Sequence, residues 1–224
     1  MRRSDGKRKA GAIRFLAASA LFMVASGGAH AAGLDCSKAA STVDHIICGD
    51  KSLIGRDRLM SKLYAVARNK DDNGAVRAAQ QQWLAKVQAC GDAACVKEQY
   101  DDRIPNLITN SSGIATTSYS RSHSYSDGSN YSGTLQMFGP DGGLAVVSIS
   151  GIYAARDAAT NGNVYASGLD GVATMRGGLG HMDMGDGCIV TLRRFGSQAW
   201  RITVTKKCTQ EQADYIELDG VYRR

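Results

Sequence analysis

The chain is poor in histidine, in long apolar runs and in clustered positive charge. Its composition includes only four histidines; one, His30, sits in the leading segment, which leaves His45, His123 and His181 for chemistry. No Gly-x-Ser-x-Gly elbow and no paired histidines of a zinc protease accompany them, so no nucleophile, base and orienting group can be assembled and no enzyme is expected. The apolar run from Phe15 to Ala25 is shorter than the roughly 20 residues needed to cross a bilayer, and no other segment approaches that length. The formal charge is +6. Six Lys/Arg and one acid, Asp5, fall within residues 1–31, so the remainder carries only about +1. Without a basic stripe to track phosphates, nucleic acid is not an expected partner. No internal repeat stands out.

What is present begins with export. "MRRSDGKRKAGAIRFLAASALFMVASGGAHAAG" has a basic head, a short apolar run and small residues ending Ala29-His30-Ala31, the three parts of a signal peptide over residues 1–31. The mature protein is therefore expected in the periplasm or secreted. Asp35 before Cys36 stands where a lipoprotein signal needs a small residue, which argues against lipid attachment.

Six cysteines in an oxidising compartment read as disulfides, where the same count in the cytosol would suggest zinc. Zinc knuckles favour pairs two to four apart with four ligands converging, and a redox motif favours a two-residue gap; neither describes these spacings. The nearest-neighbour set is chosen among the possible pairings: Cys36 with Cys48, Cys90 with Cys95, Cys188 with Cys208. In an unbroken helix, residues five apart rise about 7.5 Å along the axis, too far for a bridge whose Cα atoms sit roughly 5.5 Å apart. The helix must stop between Cys90 and Cys95, with Gly91 as the left-handed stop and Asp92 as the next N-cap.

From Asp35 to about Leu107 the pattern is helical. Ser41 and Asp44 form a capping-box variant opening a short helix that Gly49 closes; Asp50 caps a longer one with Leu53, Met60, Leu63, Tyr64 and Ala67 on one face. "NKDDNG" breaks it. A third helix carries Val76, Ala79, Trp83, Leu84 and Val87, and a fourth Val96, Tyr100, Ile104 and Leu107. Residues 110–130, rich in Ser, Thr, Asn, Gly and Tyr, read as a linker or mobile strand edge. Residues 131–224 hold β-rich runs between turn residues, without a helix signal. The expected fold is α+β: a disulfide-clamped helical bundle over residues 32–109, then an antiparallel β-sandwich or barrel.

"LDCSKAASTVDHIICGDKSLIGRDRLMSKLY" and "RAAQQQWLAKVQACGDAACVKEQYDDRIPNL" resemble the LprI-like domain of secreted bacterial proteins. The resemblance rests on the four cysteines, on Leu53, Asp57, Met60 and Tyr64, on the Arg77-Gln80-Trp83 spacing and on Cys90, Cys95, Tyr100, Arg103 and Ile104. Pro105 stands where a helix former is usual, which suggests that the last helix ends early. "LDGVYRR" resembles the end of β-domains that follow this module in exported proteobacterial proteins. The family takes its name from a mycobacterial lipoprotein described as a lysozyme inhibitor. The resemblance therefore implies a non-enzymatic, protein-binding envelope module, with a lysozyme-type muramidase as partner and no cofactor. An inhibitor of that kind would offer donors to the paired carboxylates of a glycosidase cleft. With a charge near +1 it would lack electrostatic steering and would rely on a shaped loop.

Four other features carry possible chemistry. His45, beside Cys48, reads as a surface or packing residue. Asp57, on the apolar face of its helix, is either a perturbed acid or an acceptor for hydrogen bonds from the Arg77 or Trp83 side. "MRGGLGHMDMGDG" offers His181, Met182 and Met184, with Met175 nearby, as soft ligands suited to copper handling, and Asp183 and Asp186 as oxygen ligands for calcium, against a plain glycine-rich connection. Tyr119, Tyr125 and Tyr131 with Arg121 suggest an adhesive surface, against simple disorder.

Overall fold

A computed structural model describes residues 33–71, 73–110, 113–208 and 216–224. The expected signal peptide lies outside the described residues.

The helical unit is built from consecutive caps. Ser41 Oγ accepts from the Asp44 N–H while the Asp44 carboxylate accepts from the Ser41 N–H, opening α1 (Thr42–Gly49). Asp50 ends α1 and at once caps α2 (Lys51–Arg68), accepting from the Ser52 and Leu53 N–H groups. Next along the chain comes α3 (Ala75–Gln88), and Asp92 caps α4 (Ala93–Thr109) through the Cys95 N–H. Disulfides join Cys36 to Cys48 and Cys90 to Cys95, the second with Cα atoms 5.5 Å apart across the α3–α4 corner. Gly91 is not left-handed there, contrary to expectation: α3 ends with Ala89 in the ordinary right-handed region, so the corner is spread over several residues and none needs a positive φ.

The stripes meet as expected in Leu53, Met60, Leu63, Ala67, Trp83, Val87, Val96, Tyr100, Ile104 and Leu107, all buried; Leu84 departs from its stripe and is exposed. Nor does α4 stop early. Pro105 lies inside it, and the following turn buries Leu107 and packs Ile108 on the core. Burying a large aliphatic side chain contributes about 1.5–3 kcal/mol, so Leu107, Pro105 and Ile108 together offset the roughly 3 kcal/mol cost of an interior proline.

The second unit is a closed barrel of eight antiparallel strands in sequential order. They are β1 (Thr117–Ser124), β2 (Asn130–Asp141), β3 (Leu144–Ala154), β4 (Val164–Arg176), β5 (Leu179–Asp183), β6 (Ile189–Arg194), β7 (Ala199–Val204) and β8 (Gly220–Arg223); a single helical turn, α5 (Ala158–Asn161), interrupts the β3–β4 connection. Side chains alternate in and out. Leu135, Met137, Ala145, Val147, Ile149, Ala173, Met182, Val190, Leu192 and Ile202 fill the lumen. On the outside, Leu144, Val146 and Val172 join the core of the helical unit. A strand covered on both faces loses its alternation, which is why "LAVV" is continuously apolar.

The stretch read as a linker or mobile strand edge contains a full strand. β1 pairs with β2 from Thr117↔Met137 to Ser124↔Asn130 and meets β8 at Ser120↔Arg223, closing the barrel. Arg121 reinforces the closure. Its guanidinium lies 4.9 Å from the Tyr131 ring and donates to the carbonyls of Glu217 and Asp219. Ile216 and Leu218 plug this end of the lumen, and the third disulfide, Cys188–Cys208, ties the adjacent open end of the β6–β7 hairpin.

Candidate functional site: an acidic groove between helix and barrel

Helix α4 lies against β3 and β4, and where it leaves the sheet a groove opens along its polar side. Two depressions make up the groove, of about 580 and 450 Å³. Both are lined by Asp101, Asp102 and Asp170; the first adds Trp83, Lys86, Gln99 and Arg103, the second Lys97, Glu98, Asp183 and Asp186. Glu98, Asp101 and Asp102 come from one side of α4, Asp170 from the outer face of β4, Asp183 from the end of β5 and Asp186 from the β5–β6 connection. Carboxylates outnumber cations along the second depression, and Lys97 is already engaged with Asp101 at 2.6 Å.

Asp101 is the structural member of the set. Its two oxygens accept from Arg56 Nε at 2.6 Å and Nη2 at 3.2 Å, and Arg56 Nη1 donates to Ser52 Oγ. The Arg56 side chain is only 4% exposed, so this bidentate pair fixes α2 to α4 beneath the groove wall. Glu98, Asp102, Asp170 and Asp186 form no ion pair among the described residues, which leaves their charge facing the groove. Trp83 shapes the far end: its indole N–H donates to the Gln99 carbonyl at 2.8 Å and its ring meets Tyr100 edge-on. Among the described residues that line the groove, no nucleophile stands beside a base. Its chemistry is the attraction of cations, strengthened by the low-dielectric walls on either side.

The residues singled out from sequence are spread over the molecule. His45 is exposed on α1. Asp57 is 8% exposed and accepts from the Tyr100 hydroxyl at 2.8 Å and from the Leu34 N–H, not from Arg77 or Trp83. Burial, and then the neighbouring Asp57 charge, push the Tyr100 phenol well above its ordinary range, so it remains a donor. Asp57 thus anchors the segment leading into the first disulfide. His181 and Met182 are neighbours on β5, so they point to opposite faces: His181 is exposed outside, Met182 is buried in the lumen. Met184 is exposed at the groove, and Asp183 accepts from the Gly185 N–H. The copper set therefore does not converge. Among the described residues no group of three or more His, Cys, Asp or Glu is placed to hold a metal ion.

The tyrosines do gather. His123, Tyr125, Tyr153 and Tyr165 form a row at the rim of β1–β4 with successive ring separations of 4.4, 6.0 and 6.3 Å. Tyr119 and Tyr131 belong to the barrel interior instead.

Sequence reasoning missed the groove and the Arg56–Asp101 pair. The Lys97–Asp101 spacing on one helix was the readable signal; nothing local links either residue to position 56 or 170.

The molecule is thus a disulfide-clamped helical unit packed on a closed antiparallel barrel, with a charged groove between them. The helical part can be placed more narrowly. The chain is 32% identical over 87 residues to a protein named Lipoprotein LprI from Mycobacterium bovis and, at the same identity, to those of two Mycobacterium tuberculosis strains. The match covers 37% of this chain, and the chain spans 44% of the length of these relatives. It carries an LprI-like domain. No family model matches, and no solved structure matches.

Proposed function

We propose that the protein is an exported, non-catalytic envelope module whose acidic groove binds a cationic protein, a lysozyme-type muramidase being the partner that its family resemblance favours. The observation that carries this reading is the groove itself: carboxylates from α4, β4 and the β5–β6 connection, most without a neutralising partner, on a frame held by three disulfides. A net charge near +1 does not preclude steering when the charge is locally concentrated. A groove of this sign would not enter a cleft with two catalytic carboxylates; it would hold the basic surface around that cleft and cover it. Three disulfides fit an oxidising compartment.

The test is the clearing of a bacterial wall suspension by a cationic muramidase. The purified protein should protect the wall at micromolar concentration, less at high salt. D102K/D170K, both at exposed positions, should keep the fold and weaken protection by about tenfold or more. Absence of protection by the unmodified protein at micromolar concentration sinks the reading.

A further inference from the structure

The end of the barrel away from the plug carries a second charged surface, of opposite sign. Register places Arg176 opposite Leu179, Leu179 opposite Arg193, Arg193 opposite Arg201 and Arg201 opposite Val221. These residues lie in one row across the outer face of β4–β8, with neighbouring strands about 4.8 Å apart. Arg223 and Arg224 extend the row at the chain end. All of these arginines are exposed, and none forms an ion pair among the described residues. The carboxylate that ends the adjoining β2, Asp141, is taken by Lys62. Like charges directly opposite on paired strands are destabilising, so Arg193 facing Arg201 costs stability, and no carboxylate among the described residues pairs with either. Exposed apolar side chains sit in the same row: Leu179 is 42% exposed and Phe195 45%, and Phe195 stacks against Arg201 at 5.0 Å.

We infer that this face docks on an anionic lipid surface, its arginines on headgroup phosphates and Leu179 and Phe195 in the interfacial layer. Guanidinium groups are suited to phosphate because the planar fork meets two oxygens at once. Two apolar side chains within a basic row favour a bilayer over a nucleic acid, which would offer the apolar pair nothing equivalent. This surface is separate from the groove and does not depend on the muramidase reading.

The experiment is co-sedimentation of the purified exported protein with vesicles of phosphatidylcholine alone or with about one third phosphatidylglycerol. Binding should require the anionic lipid and fall steeply with salt. At about fivefold per unit charge near the surface, R193E should weaken binding about 25-fold. R193E also replaces a repulsive cross-strand pair by an attractive one with Arg201, so its melting temperature should hold or rise. Loss of binding without loss of stability is a split that a purely structural role would not produce. L179S/F195S should weaken binding to anionic vesicles while leaving its salt dependence. Equal binding to both vesicle types, unchanged binding by R193E, tighter binding to a DNA duplex than to anionic vesicles, or salt-sensitive dimerisation in place of vesicle binding would each overturn the proposal.

Discussion

Removing either partner of the Arg56–Asp101 pair should have unequal consequences, and the structure says which is worse. Arg56 is enclosed, with its side chain 4% exposed, and without Asp101 keeps one neutral partner, Ser52 Oγ. Asp101 is 17% exposed and without Arg56 keeps Lys97 at 2.6 Å and some contact with water. Taking one partner from a buried pair strands a charge at a cost of about 3–5 kcal/mol; that figure applies to D101N. R56M keeps the apolar stem, leaves a carboxylate that is still paired, and should cost only about 1 kcal/mol. In urea, with a slope of about 2 kcal/mol/M, the midpoint should fall by about 1.5 M or more for D101N and about 0.5 M for R56M. The double replacement R56M/D101L should be less damaging than D101N alone, because no charge is left inside. Unfolding of the oxidised protein followed by Trp83 fluorescence reads all three. If R56M proves as costly as D101N, the burial argument is refuted.

Two further substitutions probe the scaffold at different points. The Asp44 carboxyl is held below its ordinary value of 3.8, first by the Ser41 N–H it accepts from at the helix start. A depressed carboxylate contributes stability above its ordinary value and loses it as pH falls through the folded one. D44A should therefore cost about 0.5–1 kcal/mol at pH 6, modest because the site is half-exposed, and the gap to the unmodified protein should close as acidification protonates the carboxylate in the folded state; a gap independent of pH would contradict the capping role. In the barrel, a Cβ at Gly151 would meet Ile216 Cγ2 and Tyr131 Oη, each at 2.8 Å, and Leu218 Cδ2 at 3.1 Å. G151A should destabilise the protein by about 1–3 kcal/mol and speed amide exchange at Ile216 and Leu218; unchanged exchange there would show that the plug does not depend on this close approach.

The parts of the fold that were legible from sequence are those that local chemistry specifies. Ser41, Asp50 and Asp92 each cap a helix because a short polar side chain reaches free N–H groups one turn ahead, and that geometry depends on no distant residue. Strand β1 escaped for the converse reason: Ser118, Ser120 and Ser122 on its outer face and Arg121 on its inner face give no apolar alternation, and it is held by pairing with β2 and by the reach of Arg121 to residues 217–219. Arg56 was missed for the same reason, since a charged residue on a helix is ordinarily solvated, and only the fold brings α4 within reach. His181, Met182 and Met184 show the opposite error: proximity in sequence suggested a ligand set that the two-residue repeat of a strand divides between its faces.

The two charged surfaces account for why net charge was a poor guide. A sum near +1 implies weak fields only when the signs are interleaved, and here strand register sorts them. Along β4, Asp170 faces the groove and Arg176 begins the arginine row, six residues apart, or about 20 Å at the rise of a strand. That exceeds the Debye length of about 8 Å at physiological ionic strength, so neither patch cancels the other's field at contact. The acidic residues of the groove are drawn from three elements and the arginines from four strands; in each case the charges are dispersed in sequence, and the barrel collects them. Because the two surfaces are separate, each of the two proposed contacts should be abolished by substitutions that leave the other intact.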